Sequence, residues 1–158
     1  MHKCKKFSYF TPMQFSEARL YSLLSKLDSS YASPVSTRVN LSSYVKKLSH
    51  YADIVVASVD SEDIALCAFY TNTPPNGYIS TIVVLEGFQK NGLGTTLIEF
   101  VKEIAKEKGC TKLGLEVFSQ NYKARSFYLK QGFYVCEDTE SNIINDKMSI
   151  NMTCKLYD

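Results

Sequence analysis

The chain has 158 residues, of which 45% are hydrophobic and 22% are charged, and its formal net charge is +2. These values are typical of a globular protein with enough chain for one core, so we expect a single domain over residues 1–158. The net charge is small and the basic residues are mostly lysines without a dense cluster, so nucleic acid is not an expected partner.

Cysteine and histidine residues are scattered and form no metal-binding pattern. The chain contains no C-x-x-C pair, and its two histidines stand alone in the sequence. Zinc sites need clustered ligands, so we expect no metal. Reduced thiols in a cytosolic protein are the favoured interpretation of the five cysteines. These are Cys4, Cys67, Cys110, Cys136 and Cys154.

No segment of the sequence is typical of membrane targeting. The basic start Met1–Lys6 is not followed by an apolar run of signal-peptide length. No later apolar stretch approaches the roughly 20 residues that cross a bilayer. We therefore expect a cytoplasmic protein without a membrane partner.

A strand and a helix are predicted at the start of the chain. Phe7–Phe10 is a short strand, and Thr11 caps a helix that begins at Pro12, with Gln14 completing a capping box. The apolar stripe of this helix is Leu20, Leu23, Leu24 and Leu27.

A loop and a second helix follow. Asp28–Arg38 is rich in serine and contains Pro34, which predicts a loop. Asn40 caps the second helix. Its buried face is predicted to be Leu41, Tyr44, Val45 and Leu48.

The periodicity then changes from helical to extended. Ile54–Val59 and Ile64–Tyr70 are predicted strands joined as an antiparallel hairpin by the polar turn Asp60–Asp63. Asn72–Gly77 is predicted to break the chain. Ile79–Leu85 is apolar on both faces, as expected of a central strand.

The centre of the chain is predicted to be a βαβ unit. A polar turn with Gly92 and Gly94 leads from Ile79–Leu85 into an amphipathic helix that ends at Gly109. The next strand, Leu113–Val117, should lie parallel to Ile79–Leu85 by the crossover rule.

The remaining elements complete the fold prediction. Asn121–Gln131 is a helix stopped by Gly132, and the strands Phe133–Glu137 and Lys147–Leu156 flank a polar loop, 138–146. This order predicts an α+β fold: a mixed, mostly antiparallel sheet with a central parallel βαβ unit and flanking helices.

The turn 89–95 is the candidate binding motif. Its two glycines let a backbone approach a ligand closely, and the helix that follows begins with unpaired N–H groups. A helix N-terminus favours negative charge. We therefore predict that a phosphate-bearing ligand binds there.

Two common phosphate motifs do not fit this turn. A Walker loop needs Lys and Ser/Thr after its last glycine, whereas Leu93 and Gly94 follow Gly92. A dinucleotide fingerprint needs a third glycine where Leu97 stands. Both alternatives are rejected.

A third pattern, Q/R-x-x-G-x-G/A, fits Gln89-Lys90-Asn91-Gly92-Leu93-Gly94 at every required position. Together with matching downstream residues, it resembles the GNAT family, the Gcn5-related N-acetyltransferases, over most of the chain. The resemblance therefore implies a GNAT-like fold. The downstream residues are Leu115-Glu116-Val117, Asn121, Ala124, Phe127-Tyr128 and Gly132-Phe133.

The resemblance implies acetyl-coenzyme A as donor co-substrate, bound where the strands Ile79–Leu85 and Leu113–Val117 splay apart. It also implies that the backbone near Ile82 polarises the thioester carbonyl. The residues implied to pair with the pantetheine arm are Ile82, Val83 and Val84. Those implied to hold the pyrophosphate are Gln89, Lys90, Asn91, Gly92, Leu93, Gly94 and Thr95.

Two further residues correspond to family positions beside the cofactor. Asn121 matches an asparagine that binds the cofactor arm, and its alternative role is a helix N-cap; both roles are compatible. Tyr128 matches the tyrosine beside the cofactor sulfur, where a phenol protonates the departing thiolate. Its alternative role is that of a core side chain.

The general base is less defined. An attacking ammonium group must lose a proton, and many family members use a carboxylate on the strand that is Ile79–Leu85 here. That strand carries none. Glu116 is the candidate, and water relayed from Glu116 or Ser80 is the alternative.

The acceptor is expected to lie against the N-terminal half, near Tyr31, Arg38 and the segment 70–72. Arg38 either pairs with an acceptor carboxylate or is a surface residue. We expect acetyl transfer to a primary amine of a small molecule, by direct attack in a ternary complex. The alternatives are a protein or peptide acceptor, or a non-catalytic acyl-coenzyme A sensor. A homodimer through the last strands is also considered.

Overall fold

The computed structural model describes residues 5–31, 34–37, 39–136, 142–144 and 147–157. The strands are β1 Lys5–Phe10, β2 Asp53–Val59, β3 Glu62–Thr73, β4 Asn76–Val84, β5 Lys112–Phe118, β6 Tyr134–Val135, β7 Asn142–Ile144 and β8 Lys147–Lys155. The α-helices are α1 Glu17–Leu27, α2 Leu41–Tyr51, α3 Leu93–Glu107 and α4 Tyr122–Lys130. Short 3₁₀ turns, Asp28–Ser30 and Val35–Thr37, lie between α1 and α2.

All the strands belong to one sheet, in the order β1-β2-β3-β4-β5-β8-β6, with β7 also paired to β8. Every pairing is antiparallel except that of β4 with β5, which is parallel and is connected through α3. The predicted fold class, a mixed sheet with one central βαβ unit, is therefore confirmed.

The helices cover the two faces of the sheet and bury a core on each. One core contains Leu97, Ile98 and Val101 of α3 and apolar side chains from β2 to β5 and β8. The other packs α1 and α2 against Ile54, Leu66 and other side chains of β2 to β4. The sheet is thus the middle layer of three.

The start of the first helix was wrongly predicted. The Gln14 side chain does accept a hydrogen bond from the Thr11 N–H, at 2.8 Å, but this contact closes an isolated turn. The helix begins only at Glu17, where the Ser16 hydroxyl accepts a hydrogen bond from the Arg19 N–H. The predicted capping box at Thr11 and Gln14 therefore forms a single turn that does not continue into a helix.

Other boundaries are partly confirmed. Asn40 caps α2 as predicted, with its side chain accepting from the Ser43 N–H. Gly109 follows α3 with a φ of 88°, as expected of a residue that ends a helix. Among the described residues of the predicted strand Phe133–Glu137, Tyr134–Val135 form a strand, and Glu137 lies outside the described residues. The described part of the predicted loop 138–146 is β7. Arg38 lies outside the described residues.

The predicted break over Asn72–Gly77 is confined to two residues. Strand β3 continues to Thr73 and β4 begins at Asn76, so only Pro74 and Pro75 lie outside the hairpin strands. The prolines cannot donate ladder hydrogen bonds, but their neighbours can. Both central strands are therefore longer than predicted at this end.

Strands β4 and β5 separate after a short parallel contact. They pair at Asn76↔Lys112, Gly77↔Leu113 and Tyr78↔Gly114, and there the pairing ends. Two residues later β4 has a bulge, because Thr81 and Ile79 oppose the consecutive residues Ala68 and Phe69 on β3, leaving Ser80 as the extra residue.

The bulge also changes which side chains face each core. Ile79 and Val83 are four residues apart, which places them on one face of a regular strand. Here Ile79 packs in the α3 core and Val83 in the α1/α2 core. The bulge bends β4 away from β5, and a gap through the sheet opens beside it.

Candidate active site

A cleft of about 720 Å³ runs along this gap. Because paired residues share a face of the sheet, Glu116 on β5 lies on the same side as Tyr78 and the α1/α2 layer. Tyr128 on α4 packs in the core on the opposite side. The cleft therefore joins two chemically different faces through the gap.

Most of the predicted site residues line this one cleft. Asn91 lies in the same turn but is exposed and does not line it. The predicted residues that line the cleft are Ile82, Val83, Val84, Gln89, Lys90, Gly92, Leu93, Gly94, Thr95, Glu116, Asn121 and Tyr128.

The turn before α3 is built from left-handed residues. Gly87, Lys90 and Gly92 have φ values of 98°, 68° and 79°. The Gln89 side-chain amide donates a 2.8 Å hydrogen bond to the Val84 carbonyl, which ties the turn to the end of β4. Gly92 is the N-cap of α3 and provides no side-chain cap.

The first turn of α3 has the properties of an anion site. The first hydrogen bond within α3 is donated by the Thr96 N–H to the Gly92 carbonyl. The N–H groups of Leu93, Gly94 and Thr95 therefore have no partner within the helix. They lie at the cleft, where the helix dipole favours negative charge. The arrangement fits a phosphate group.

Glycine is favoured at the two positions of the motif for different structural reasons. A Cβ at Gly92 would meet no atom within 4 Å, so this position requires glycine for its positive φ. A Cβ at Gly94 would lie 3.1 Å from Cζ of Phe127, so a larger residue there needs the Phe127 ring to shift by a few tenths of an ångström. Gly94 thus lets α4 approach the start of α3.

Helix α4 is also tied to α3 by polar contacts. The Gln131 side-chain amide donates a 3.1 Å hydrogen bond to the Thr95 hydroxyl, and Lys102 donates to the Gln131 carbonyl. Since the Thr95 oxygen accepts from Gln131, its own proton is available to a ligand in the cleft.

Asn121 is the N-cap of α4. Its side-chain oxygen accepts a 3.2 Å hydrogen bond from the Ala124 N–H, so the structural role predicted for it is present. The side-chain NH₂ group is not used by this cap. The ligand-binding role is therefore compatible with the cap.

Tyr128 lies among aromatic rings beside a buried thiol. Its ring centroid is 5.3 Å from that of Phe127 and 5.7 Å from that of Phe133. Burial, and secondarily the charge of a Cys67 thiolate, raises the pKa of Tyr128. Burial likewise raises the pKa of Cys67, which is fully inaccessible. At neutral pH the Tyr128 hydroxyl and the Cys67 thiol therefore both keep their protons.

Charge is unevenly distributed around the cleft. Glu116 is the one carboxylate among the described residues that line it, and it faces Asn151 on β8. Burial, and then the Glu116 charge, raises the pKa of Tyr78. Lys90, Lys123 and Lys130 line the same cleft. The lining of the cleft therefore includes one carboxylate and three lysine side chains.

The α1/α2 layer contacts β4 at the bulge. The Tyr44 and Ser80 hydroxyl oxygens are 2.6 Å apart, and those of Tyr31 and Thr81 are 2.5 Å apart. Tyr31 was predicted near the acceptor, and it lines the cleft. Tyr44 was predicted only as part of a buried helix face.

Sequence reasoning also missed Lys123 and Lys130. They are seven residues apart on α4, and so lie two turns apart on one helix face. Each lysine lies two residues after a predicted site residue, Lys123 after Asn121 and Lys130 after Tyr128. This proximity in sequence is the signal that would have identified them.

The described part of the chain lacks two kinds of feature. Neither a group of His, Cys, Asp and Glu side chains able to hold a metal ion nor a helix long and apolar enough to span a membrane is present there.

The model of the Acetyltransferase (GNAT) family matches residues 19–133. Thialysine N-epsilon-acetyltransferase from Mus musculus is 37% identical over 60 residues, which are 38% of this chain. That match spans only 35% of the mouse protein, and the other curated relatives are matched over still smaller shares of their length.

Solved structures of low sequence identity share the fold. The ribosomal-protein-S18-alanine N-acetyltransferase from Escherichia coli has a TM-score of 0.76 at 15% identity, covering 98% of this chain and 96% of that one. A GNAT family acetyltransferase from Elizabethkingia anophelis with acetyl-CoA bound has a TM-score of 0.68 at 20% identity, covering 96% and 97%.

Proposed function

The chain belongs to the Acetyltransferase (GNAT) family, and on that premise we propose that it moves an acetyl group from acetyl-coenzyme A to a primary amine of a small molecule. The observation that carries the proposal is the gap between β4 and β5, which joins the N-terminus of α3, Tyr128 and Glu116 in one cleft.

The donor end of the cleft suits coenzyme A. The free N–H groups at the start of α3 and the lysines Lys90, Lys123 and Lys130 provide partners for several phosphates. Beyond Tyr78, β4 pairs with no strand of the described chain on its β5 side. Its edge there, at Ile82, Val83 and Val84, suits an extended amide-bearing arm that adds as a strand.

When bound, acetyl-coenzyme A supplies a thioester whose carbonyl carbon the amine attacks. Glu116 removes a proton from the acceptor ammonium, directly or through water held by Glu116 or Ser80. The Ile82 N–H donates to the carbonyl oxygen as negative charge develops there. Tyr128 donates its hydroxyl proton to the sulfur as the C–S bond breaks and the N–C bond forms.

Direct attack in a ternary complex is favoured over a covalent relay. Cys67 is the thiol to consider, because on β3 it is paired with Ile82 of β4, the residue proposed to contact the thioester carbonyl. It is fully buried and burial raises its pKa, so it is a poor nucleophile. The amine itself is therefore the group that attacks.

A small acceptor is favoured by the closure of the α1/α2 layer on β4. The Tyr31–Thr81 and Tyr44–Ser80 contacts hold this layer against the bulge. A protein or peptide acceptor is the alternative, since the E. coli relative of the same fold is a ribosomal-protein acetyltransferase. A non-catalytic acyl-coenzyme A sensor is the other. A homodimer stays a prediction; the exposed Tyr134 and Val135 on β6 give it a candidate surface.

The proposal is tested by incubating the protein with acetyl-coenzyme A and a panel of small amines and peptides. Released thiol and acetylated product are measured. We expect turnover with small amines, and a decrease of at least about 100-fold in kcat/KM in Glu116→Gln. Tight coenzyme binding without thiol release from any acceptor identifies a sensor, and turnover of peptides alone identifies the peptide alternative.

A further inference from the structure

A second cavity, of about 400 Å³, lies next to the point where β4 and β5 separate. It is lined by residues of β3, β4, β5 and β8 and by Cys136, and polar side chains stand among a mostly apolar lining surface. Those that carry the argument are Tyr70, Asn72, Tyr78, Lys112, Asn151 and Thr153.

This cavity adjoins Glu116 along the sheet. Gly114, which lines the cavity, and Glu116, which lines the first cleft, are two residues apart on one face of β5. Their separation is about 7 Å along the strand. On β8, Thr153 faces Gly114 and Asn151 faces Glu116. Tyr70 on β3 lies two strands from Gly114, since it opposes Tyr78, which opposes Gly114. A molecule with its amine at Glu116 and its other end directed toward Gly114 would enter this cavity.

The Tyr70 hydroxyl is the unusual group here. Among the described residues it is the one buried side-chain polar atom without a hydrogen-bond partner. Native proteins pair nearly all such atoms, so an unpaired one points to a missing partner. Burial, and then the Tyr44 charge, raises the pKa of Tyr70 to about 12, so its hydroxyl keeps its proton and is a donor at neutral pH.

The charges around Tyr70 favour an oxygen acceptor. Lys112 lines the cavity, and Nζ of Lys47 lies 5.8 Å from the centroid of the Tyr70 ring. No carboxylate is found among the described residues that line this cavity. The first cleft has Glu116 at the amine end, so the two ends differ in charge.

We propose that the acceptor carries, at the end remote from its reacting amine, an oxygen that accepts a hydrogen bond from Tyr70, either a carboxylate or a carbonyl. Tyr70 is thus a specificity-determining residue. The proposal rests on the proposed acetyl transfer and names the class of its acceptor: an amine with a distal carboxylate or amide.

The test compares four amines of equal chain length: an ω-amino carboxylate, its amide, the n-alkylamine and the α,ω-diamine. We expect kcat/KM for the carboxylate or the amide to exceed that for the alkylamine by at least tenfold. In Tyr70→Phe this ratio should fall about tenfold, which is the size of one hydrogen bond to a charged group. A preference for the carboxylate or for the amide tells which oxygen the site takes.

The matched control is Tyr51→Phe, because Tyr51 is 59% exposed at the end of α2 and lines neither cavity. Its ratio should equal that of the wild type. Tyr70→Phe removes an unpaired hydroxyl, so its thermal midpoint should not fall below that of the wild type.

A ratio unchanged by Tyr70→Phe, or a preference for the diamine or the alkylamine, overturns the proposal. Absence of thiol release from every amine contradicts the proposed transfer instead. Calorimetry then decides the acceptor class separately, using the ω-amino carboxylate and its amide with protein saturated in coenzyme A. Binding that weakens about tenfold in Tyr70→Phe supports the proposal, whereas no binding or equal binding overturns it.

Discussion

Replacing Gly92 by alanine tests whether backbone conformation builds the anion site. Gly92 has a φ of 79°, and an added Cβ would meet no atom within 4 Å, so the cost is conformational alone. A left-handed non-glycine residue costs about 1–2 kcal/mol, partly offset by the lower entropy of the unfolded alanine chain. We expect a net loss of about 1 kcal/mol in the free energy of unfolding.

Two measurements check this expectation. With a urea m-value of about 2 kcal/mol per M, the unfolding midpoint should fall by about 0.5 M. If the backbone relaxes away from its left-handed conformation, the N–H groups of Leu93 and Gly94 move. Because a hydrogen bond to a charged group contributes about 1.5–3 kcal/mol, acetyl-coenzyme A affinity should fall at least about tenfold.

Matched variants separate conformation from space. Asparagine tolerates the left-handed region, so Gly92→Asn should lose less stability than Gly92→Ala. Gly94→Ala should instead be limited by the Phe127 ring, 3.1 Å from the added Cβ, and be partly rescued in combination with Phe127→Leu. Equal losses in Gly92→Asn and Gly92→Ala, or rescue of Gly92→Ala by Phe127→Leu, would refute the reasoning.

Three further predictions concern the proton donor, the phosphate cations and the β1–β3 region. Tyr128→Phe should lower kcat by about 100-fold or more with unchanged acetyl-coenzyme A affinity. Burial raises the pKa of Tyr128 above the ordinary 10.0, so kcat of the wild type should not decrease through loss of this proton until the pH exceeds 10.0. Lys123→Ala and Lys130→Ala should weaken coenzyme binding in low salt and less so in high salt, whereas Lys155→Ala, at an exposed position on β8, should not. Asp53→Asn should destabilise the protein by about 1–3 kcal/mol in urea unfolding, because the buried Asp53 carboxylate accepts from the Tyr9 and Thr71 hydroxyls at 2.7 and 2.5 Å; an unchanged midpoint would contradict this assignment.

Elements with strong periodicity were predictable from the sequence. The βαβ unit and the glycine-containing turn before α3 follow from local signals: a run of apolar β-branched residues, glycines at a helix start and an amphipathic repeat. The Asn40 cap was also correct, because an Asn side chain satisfies its own helix start locally. These features depend on residues close together in the chain.

Features set by distant contacts were not predictable. The bulge at Ser80 depends on the register between β3 and β4, and the close packing at Gly94 depends on Phe127 on another helix. The unpaired Tyr70 hydroxyl is visible only once the partners of every buried polar atom are known. The capping pattern at Thr11 misled for the same reason, since tertiary packing placed the helix start at Ser16.

The separation of β4 and β5 also has a consequence for the cooperativity of unfolding. Three residue pairs are the whole ladder between the β1–β4 and β5–β8 halves of the sheet, and α3 connects them. Such a junction is where partial unfolding is expected to begin. A ligand that pairs with the open edge of β4 bridges the two halves, and at a free concentration of 100 Kd it stabilises the native state by about 2.7 kcal/mol. Slower amide hydrogen exchange in β5 and β8, far from the phosphate turn, is then a measure of the occupancy of the cleft.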